Sequence, residues 1–253
     1  SKLPDVATIP SNKSIHKQND FKANRIEYSF KSNLVEKINN FCKQNNISTF
    51  NFLTSVYSIY LGCINNMDNF LLGTPILNRT NYAQKHTSGM FISTSLLNID
   101  ISENIPFLNF AKNVAKNSLS MLRHQRYNYQ YILNDIKKKD STVKKLYDII
   151  ISYQITKATS SMSDIPYHTT WYGTDYIGNT LDIHFHDNDD TGSLLVEYDY
   201  QIIKLKKADI KNMHSRILNL IDQILKTPNI NIHNLDIVTP EEKNQILNIF
   251  NNH

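Results

Sequence analysis

The chain has 253 residues, of which 40% are hydrophobic and 20% are charged, and this composition is typical of a globular protein with a sizeable core. The net charge of +4 arises from 27 basic and 23 acidic residues with no long basic run, which argues against a nucleic-acid partner. We predict a cytoplasmic protein outside the membrane, because no apolar stretch reaches the roughly 18 residues of a membrane span and the N-terminus carries no signal sequence.

The two cysteines favour a reducing compartment. Cys42 and Cys63 both fall inside apolar periodic segments. We therefore expect both side chains to be buried as reduced thiols rather than joined in a disulfide.

The N-terminal part of the chain predicts a linker, a strand and two helices. Residues 1–23 are polar and irregular and are expected to lie over a surface as a linker. The alternation in residues 25–30 predicts a strand, and Ser32 can cap a following amphipathic helix. Residues 48–65 leave little polar surface, so this second helix is expected to be buried on most sides.

Two strands and two helices are predicted next. Residues 70–77 and 95–101 have the pattern of short strands, and the polar loop between them contains Gly89. Apolar residues recur at helical spacing through residues 107–122. A shorter helix begins at Tyr131 and ends in lysines, which suit a helix C-terminus.

The middle of the chain predicts a central strand, a long loop and a hairpin. Residues 146–153 form a continuous apolar run, which is typical of a strand covered on both faces. The loop of residues 155–178 is longer than the roughly 12–15 residues beyond which a loop usually has a function, and it contains Trp171. Residues 181–186 and 193–200 alternate on either side of an acidic turn and predict the hairpin.

The C-terminal part predicts two helices and completes the fold class. Residues 206–226 are amphipathic, and residues 239–242 combine an N-cap threonine, a proline and a glutamate in a strong helix-start signal. Strands and helices are mixed throughout without a strict βαβ alternation. We therefore predict an α+β protein, a two-layer α/β sandwich with helices on one side of the sheet.

Several of these segments, in this order, resemble the C-terminal half of condensation domains, the amide-forming units of nonribosomal peptide synthetases. Residues 73–79 match the family's Gly-Thr-Pro-x-x-Asn-Arg segment, and residues 88–94 resemble its Gly-x-Phe-Val-Asn-Thr motif. His124-Gln125 falls where the family carries His-Gln-Asp-x-Pro-Phe, and residues 139–147 fall where Arg-Asp-x-Ser-Arg-Asn-Pro-Leu-Phe is usual. Residues 235–243 resemble the stretch that leads into a following adenylation domain.

The resemblance implies one half of a V-shaped, chloramphenicol acetyltransferase-like pseudo-dimer with a tunnel between its two halves. Residues 24–238 would be the C-terminal subdomain, and residues 239–253 would be a helix that leads toward an adenylation domain. The family's catalytic string, His-His-x-x-x-Asp-Gly, belongs to the first half and does not occur in this sequence. We therefore expect no catalytic residue in this chain and no activity from the chain alone.

The resemblance also implies the partners and the form of the substrates. The implied partners are the N-terminal half of the condensation domain, peptidyl carrier proteins and an adjacent adenylation domain, with neither nucleic acid nor membrane among them. The substrates are implied to be carried on the phosphopantetheine of the carrier proteins. No cofactor is expected to bind the chain directly.

Four residues of the second motif are the candidate tunnel or subdomain-contact site. By resemblance, Gly89, Phe91, Ser93 and Thr94 would lie near the tunnel and near the contact with the other half. Ser93 stands where the family's motif has asparagine. An ordinary loop that enters a strand is the alternative interpretation.

Three further positions carry predictions. Arg79 is expected to pair with a carboxylate and to fix the loop before Gly89, as a structural residue. His124 is also expected to be structural, because no carboxylate or nucleophile accompanies it in a recognisable catalytic group. Trp171 belongs to a loop that, by resemblance, crosses over to the other half, and the alternative is that the loop folds back into a local core.

A metal site is conceivable but not expected at the predicted hairpin. His184 and His186 lie on the same face of a strand, and Asp187, Asp189 and Asp190 follow them. No third nitrogen or sulfur ligand is evident in the sequence. We therefore predict a solvated strand face that binds no metal.

Two other functions remain open from the sequence. The first is a free-standing acyltransferase of the chloramphenicol acetyltransferase type, with His124 as the base and a trimer completing the site. The second is a noncatalytic module that docks carrier proteins.

Overall fold

The computed structural model describes residues 4–10, 20–155, 172–188 and 192–249 of the chain. In this part of the chain, seven strands form one mixed sheet. The strands are β1 (Asp5–Val6), β2 (Ala23–Phe30), β3 (Asn69–Ile76), β4 (Ser93–Asp100), β5 (Ile149–Ile155), β6 (Leu181–Asn188) and β7 (Ser193–Gln201). Their order is β1-β3-β5-β6-β7-β2, and β4 pairs with the other edge of β3.

The helices mostly follow the predicted segments. They are α1 (Ser32–Asn45), α2 (Thr49–Asn65), α3 (Tyr82–Lys85), α4 (Phe107–Arg123), α5 (Tyr129–Lys139), α6 (Lys207–Lys226) and α7 (Pro240–Asn244). Two short turns of other helix types, Ile232–Asn234 and Gln245–Ile249, flank α7. The six strands and six helices predicted from the sequence are confirmed with small shifts at their ends, whereas β1 and α3 were not predicted.

The helices α2 and α6 cover one face of the sheet and bury its apolar residues. Leu181, Ile183 and Phe185 of β6 have no exposed surface, and they alternate with polar residues on the same strand. The Tyr57 ring of α2 lies 5.6 Å from the Phe185 ring, edge to face. Helix α2 is almost entirely buried, as predicted. The two-layer α+β architecture is therefore confirmed.

The opposite face of the sheet is polar and is also buried. Glu197 and Asp199 of β7 are 1% and 4% exposed, and His186 of β6 is 5% exposed. These side chains alternate with the residues that face the helices, so they lie on the other side of the sheet. The prediction of a solvated strand face at His184 and His186 is therefore wrong.

The connection between β5 and β6 explains part of this burial. The two strands are parallel neighbours, so the chain between them must cross from one end of the sheet to the other. The described end of this crossover lies against β2, where the amide of Ala23 donates to the carbonyl of Asp175 at 2.6 Å. A Cβ atom on Gly173 would come within 2.8 Å of the Arg25 Nε atom. The described end of the crossover therefore packs directly on Arg25.

The two ends of the described chain are attached to the body of the sheet and helices. Residues 5–9 are not an irregular linker, because β1 pairs with β3 and the side chains of Ala7 and Ile9 are buried. At the other end, Arg216 of α6 donates two hydrogen bonds to Glu242 of α7 at 3.0–3.1 Å. The predicted boundary at residue 239 is therefore bridged by an ion pair.

The cysteines differ from each other in exposure. Cys42 is buried, as predicted, whereas Cys63 is exposed, and neither forms a disulfide. Cys63 lies in the last turn of α2, just beyond the buried stretch that ends at Gly62. The buried part of α2 therefore ends one residue before Cys63, although the apolar pattern of the sequence continues past it.

No single helix among the described residues is long and apolar enough to cross a membrane. Within the same residues, only α1 and α2 taken together have the length and apolar composition of a membrane span, and the two helices are bent by 103° relative to each other.

Candidate functional site

The candidate site lies in the loop between β3 and β4, and Arg79 holds that loop together. Its guanidinium donates to the carbonyls of Thr87 at 2.7 Å and Gly89 at 2.8 Å, and also to the carbonyl of Gln84. The same group lies 4.2 Å above the centre of the Phe91 ring, a cation–π contact. Arg79 thus contacts the loop before Gly89 through backbone carbonyls rather than through the predicted carboxylate.

A short helix inside the loop supports this arrangement. The Asn81 side chain caps α3 by accepting a hydrogen bond from the amide of Gln84 at 2.8 Å. The Gln84 side chain in turn accepts from the amide of Thr80 at 2.8 Å, and Arg126 reaches the Thr80 hydroxyl at 2.9 Å. The loop is thus built from local caps that surround the Arg79 guanidinium.

The four residues of the candidate site lie together where the loop enters β4. Gly89 has a φ of +143°, a conformation that other residues rarely adopt, so glycine is required at this turn. Phe91 follows under Arg79, and Ser93 and Thr94 begin β4 opposite the end of β3.

The loop presents several apolar side chains to solvent. Met90 is 92% exposed, Tyr82 is 78% exposed and Leu77 is 69% exposed, and Ile92 is also exposed. Large apolar residues are rarely concentrated on an exposed loop unless another surface covers them. We call this segment, residues 77–92, the exposed loop.

Removal of the Arg79 guanidinium is expected to loosen the exposed loop without unfolding the protein. Arg79→Met deletes three hydrogen bonds to carbonyls, and the loss of about 1.5–3 kcal/mol per charged hydrogen bond favours local opening. The expected result is at least about tenfold faster hydrogen exchange at the amides of Lys85, His86 and Thr87. Arg126→Met, which deletes a single exposed hydrogen bond, is the matched control, and equal exchange rates in the two variants would contradict the role of Arg79.

The other predicted positions lie apart from the exposed loop or outside the described residues. His124 follows the last turn of α4, and its Nδ1 atom lies 2.9 Å from the carbonyl of Ser120. Among the described residues, no acid or nucleophile forms a hydrogen bond with its ring, which fits the predicted structural role. Trp171 lies outside the described residues, and its neighbour Tyr172 is 90% exposed.

The buried polar face holds a group of charged and polar side chains in mutual contact, which we call the polar cluster. It consists of Arg25, Ser152, His184, His186, Glu197 and Asp199. Arg25 contacts both carboxylates, with two hydrogen bonds of 2.7 Å to Asp199 and an ion pair of 2.8 Å to Glu197. His186 Nε2 lies 3.0 Å from the same Glu197 oxygen.

His184 completes the polar cluster on the side of β5. Its Nδ1 atom lies 2.6 Å from the Ser152 hydroxyl, and its Nε2 atom lies 3.7 Å from an Asp199 oxygen. Burial lowers the pKa of His184 to about 4, so the ring is neutral near pH 7. Among the described residues, which exclude Asp189 and Asp190, no group of three or more His, Cys, Asp or Glu side chains could hold a metal.

The sequence indicated only two of the six residues of the polar cluster. The two histidines were noticed, but Arg25, Glu197 and Asp199 were read as ordinary residues of alternating strands. A signal was present, because β2 and β7 each carry charged residues at every second position and so direct them to one face. The missing information was that this face is covered.

The structure resembles solved condensation domains in fold. The chain superimposes on holo-AB3403, a four-domain nonribosomal peptide synthetase, with a TM-score of 0.83 and 17% identity over 95% of this chain and 20% of the other. It matches the condensation domain from the Monacolin K polyketide synthase MokA with a TM-score of 0.79 and 13% identity, over 92% of this chain and 54% of that one. The fold class is therefore that of the chloramphenicol acetyltransferase-like condensation domains.

The sequence comparisons identify the family. The family model described as Condensation domain matches residues 1–247, and the chain belongs to this family. It is 28% identical to one of the plipastatin synthase proteins of Bacillus subtilis (strain 168), over 94% of this chain and 9% of that protein. It is 27% identical to surfactin synthase subunit 1 of the same organism, over 97% of this chain and 7% of that protein. The chain thus spans less than a tenth of these synthases, and the family predicted from its motifs is confirmed.

Proposed function

We propose that the chain is the C-terminal subdomain of a condensation domain and that it shapes the tunnel in which an amide bond forms. The observation that carries this proposal is the extent of the structural match, because the chain covers 54% of one condensation domain and 51% of another. The His-His-x-x-x-Asp-Gly string is absent from its 253 residues. A subdomain that supplies one wall of the site and leaves the catalytic histidines to its partner accounts for both facts.

The first proposed partner is the N-terminal half of the condensation domain, and the exposed loop is the proposed contact. Arg79 fixes the loop while Met90 and Tyr82 remain exposed, which is the arrangement of a preorganised contact surface. Gly89, Phe91, Ser93 and Thr94 would lie at this contact and at the tunnel wall.

Further proposed partners are peptidyl carrier proteins and a following adenylation domain. The carrier proteins would present aminoacyl or peptidyl thioesters on phosphopantetheine, so the chain itself would bind no cofactor. Residues 239–253 would lead toward the adenylation domain, beginning with α7 on its ion pair to Arg216.

The proposed contribution of the chain to catalysis is positioning. Holding an amine and a thioester in a reactive geometry can supply roughly 7–11 kcal/mol of the barrier reduction. Among the described residues, neither the exposed loop nor the polar cluster presents a solvent-accessible nucleophile with a base. The chain would therefore orient the reactants, and the other half would supply the proton transfer.

Reconstitution tests this function. The chain is mixed with an N-terminal half that carries His-His-x-x-x-Asp-Gly and with two loaded carrier proteins, and the amide product is measured by mass spectrometry. We expect no product from the chain alone and product from the mixture. Met90→Asp in the exposed loop is expected to reduce the yield at least about tenfold, because a buried unpaired charge opposes the contact.

Ile246→Asp is the matched control, because this residue is also an exposed apolar side chain but lies in the turn after α7. It is expected to leave the yield unchanged. Product from the chain alone, or an equal loss of yield in the two variants, would contradict the proposal. The free-standing acyltransferase is less well supported, because in the described part of the chain no carboxylate or nucleophile forms a hydrogen bond with the His124 ring.

A further inference from the structure

A cleft of about 450 Å³ opens beside the exposed loop, between the first turn of α2, the second half of α4 and the end of β3. This volume falls in the range of small-molecule sites, roughly 300–1,000 Å³. Its walls are mostly apolar, and the residues that supply them include Phe50, Ile76, Leu77, Ala115, Leu119 and Leu122. An aliphatic chain would therefore lose its contact with water in this cleft.

Three polar side chains lie in the cleft wall, and one of them has a buried oxygen without a hydrogen-bond partner in the described part of the chain. They are the carboxamide of Asn51 and the hydroxyls of Thr74 and Ser118. Thr74 is 5% exposed and Ser118 is 7% exposed, and the Oδ1 atom of Asn51 is buried without a partner. Because a buried acceptor without a hydrogen bond is unfavourable, a ligand that donates a hydrogen bond to the Oδ1 atom of Asn51 is stabilised there.

One charged side chain lines the cleft, and all of the lining residues are described. Arg79 is the charged residue of the wall, and its guanidinium is engaged by loop carbonyls and by Phe91. The Tyr153 hydroxyl donates to Asp187 at 2.6 Å. A carboxylate has no N–H group to donate to the buried Oδ1 atom of Asn51, so the cleft favours a neutral ligand that carries such a donor.

We propose that this cleft is a binding site for an uncharged ligand with an aliphatic chain and one amide group. The chain lies along the apolar wall, and the amide supplies an N–H donor and a carbonyl acceptor to Asn51, Thr74 and Ser118. The site is formed by this chain alone, so the proposal does not depend on the condensation function.

Binding is tested by titrating the isotope-labelled chain with octanamide and following amide chemical shifts. We expect saturable shifts at residues of α2, α4 and the end of β3. Octanoate at pH 8, which has the same chain length and a negative charge, is expected to bind at least about tenfold more weakly, a difference of about 1.4 kcal/mol.

Two substitutions on α4 locate the site. Ser118→Leu fills the cleft and is expected to weaken octanamide binding at least about tenfold. Ser120→Leu, an exposed position of the same helix outside the cleft, is expected to leave affinity unchanged. If Ser118→Leu fails to fold, Ala115→Met is used in its place, because Ala115 is half-buried and a methionine there also fills the cleft. The absence of saturable octanamide binding, equal affinity for octanoate, or full affinity in a folded filled variant would each overturn the proposal.

Discussion

Replacing Arg25 by methionine is expected to lower the free energy of unfolding by about 3–5 kcal/mol, which is a large part of the roughly 5–15 kcal/mol that stabilises a typical domain. The arginine bridges Glu197 and Asp199, whose side chains are 2% and 6% exposed. Without it, two carboxylates remain buried beside each other with no cation between them. The measurement is urea unfolding followed by circular dichroism and extrapolated to water.

Arg216→Met is the matched control for this substitution. Arg216 also forms a double hydrogen bond with a carboxylate, but its partner Glu242 is 25% exposed and can be hydrated when the arginine is removed. We expect a loss of about 1 kcal/mol or less, as for other surface ion pairs. Equal losses in the two variants would mean that the burial of the carboxylates does not determine the effect.

A combined variant separates the charge of the polar cluster from its packing. Arg25→Met with Glu197→Gln and Asp199→Asn removes all three charges while it nearly preserves the volumes of the two acidic side chains. Part of the lost stability should return, because a buried site without charge costs less than an uncompensated one. A triple variant less stable than Arg25→Met alone would contradict the electrostatic explanation.

The hairpin of β6 and β7 and the buried helix α2 could be predicted because their signals are local. Alternation over eight or nine residues fixes which side chains share a face, and a helix with apolar residues all round must be buried. The strand β1 could not be predicted, since its two residues become a strand only through pairing with Phe70 and Leu71, which lie far along the chain. Short elements depend on neighbours that a sequence pattern does not show.

The polar face shows a second limit of sequence reasoning. Periodicity correctly predicted that His184 and His186 share a face, but it could not predict that the β5–β6 crossover would help to cover that face. The partner of Asp199 is Arg25, which is 174 positions away in the sequence. Likewise, the carbonyls that accept hydrogen bonds from Arg79 come together only when the exposed loop is folded. The sequence does not show this arrangement, and a carboxylate was therefore the partner expected for the arginine.

The stability of the protein is expected to fall steeply between pH 6.5 and pH 4, and His214 is a main cause. This residue of α6 is buried against the sheet, where its ring stacks on Tyr28 at 3.9 Å and its Nδ1 atom lies 2.9 Å from the Tyr198 hydroxyl. Tyr198 also contacts the Tyr57 hydroxyl at 2.5 Å. Burial lowers the pKa of His214 from its ordinary value of 6.5 to about 4.

The direction of the pH effect follows from this lowered pKa. Between pH 6.5 and 4 the unfolded chain binds a proton at His214 that the folded protein does not bind. The stabilising contribution of the neutral ring is therefore complete above pH 6.5 and is lost as the pH falls toward 4. At about 1.4 kcal/mol per pKa unit, the loss amounts to about 3–3.5 kcal/mol, and the lowered pKa of His184 acts in the same direction.

His214→Gln isolates this contribution, because glutamine can still form a hydrogen bond with the Tyr198 hydroxyl but cannot bind the proton. The variant is expected to be less stable than the unsubstituted protein at pH 7.5, where the stacked ring is lost. From pH 6 to 4.5, however, its free energy of unfolding should fall less steeply, by up to about 1.4 kcal/mol per pH unit. Urea unfolding at several pH values measures both slopes. If the free energy of unfolding changed with pH in the same way in His214→Gln and in the unsubstituted protein, protonation of the buried ring would not destabilise the folded state. The role assigned to the burial of His214 would then be wrong.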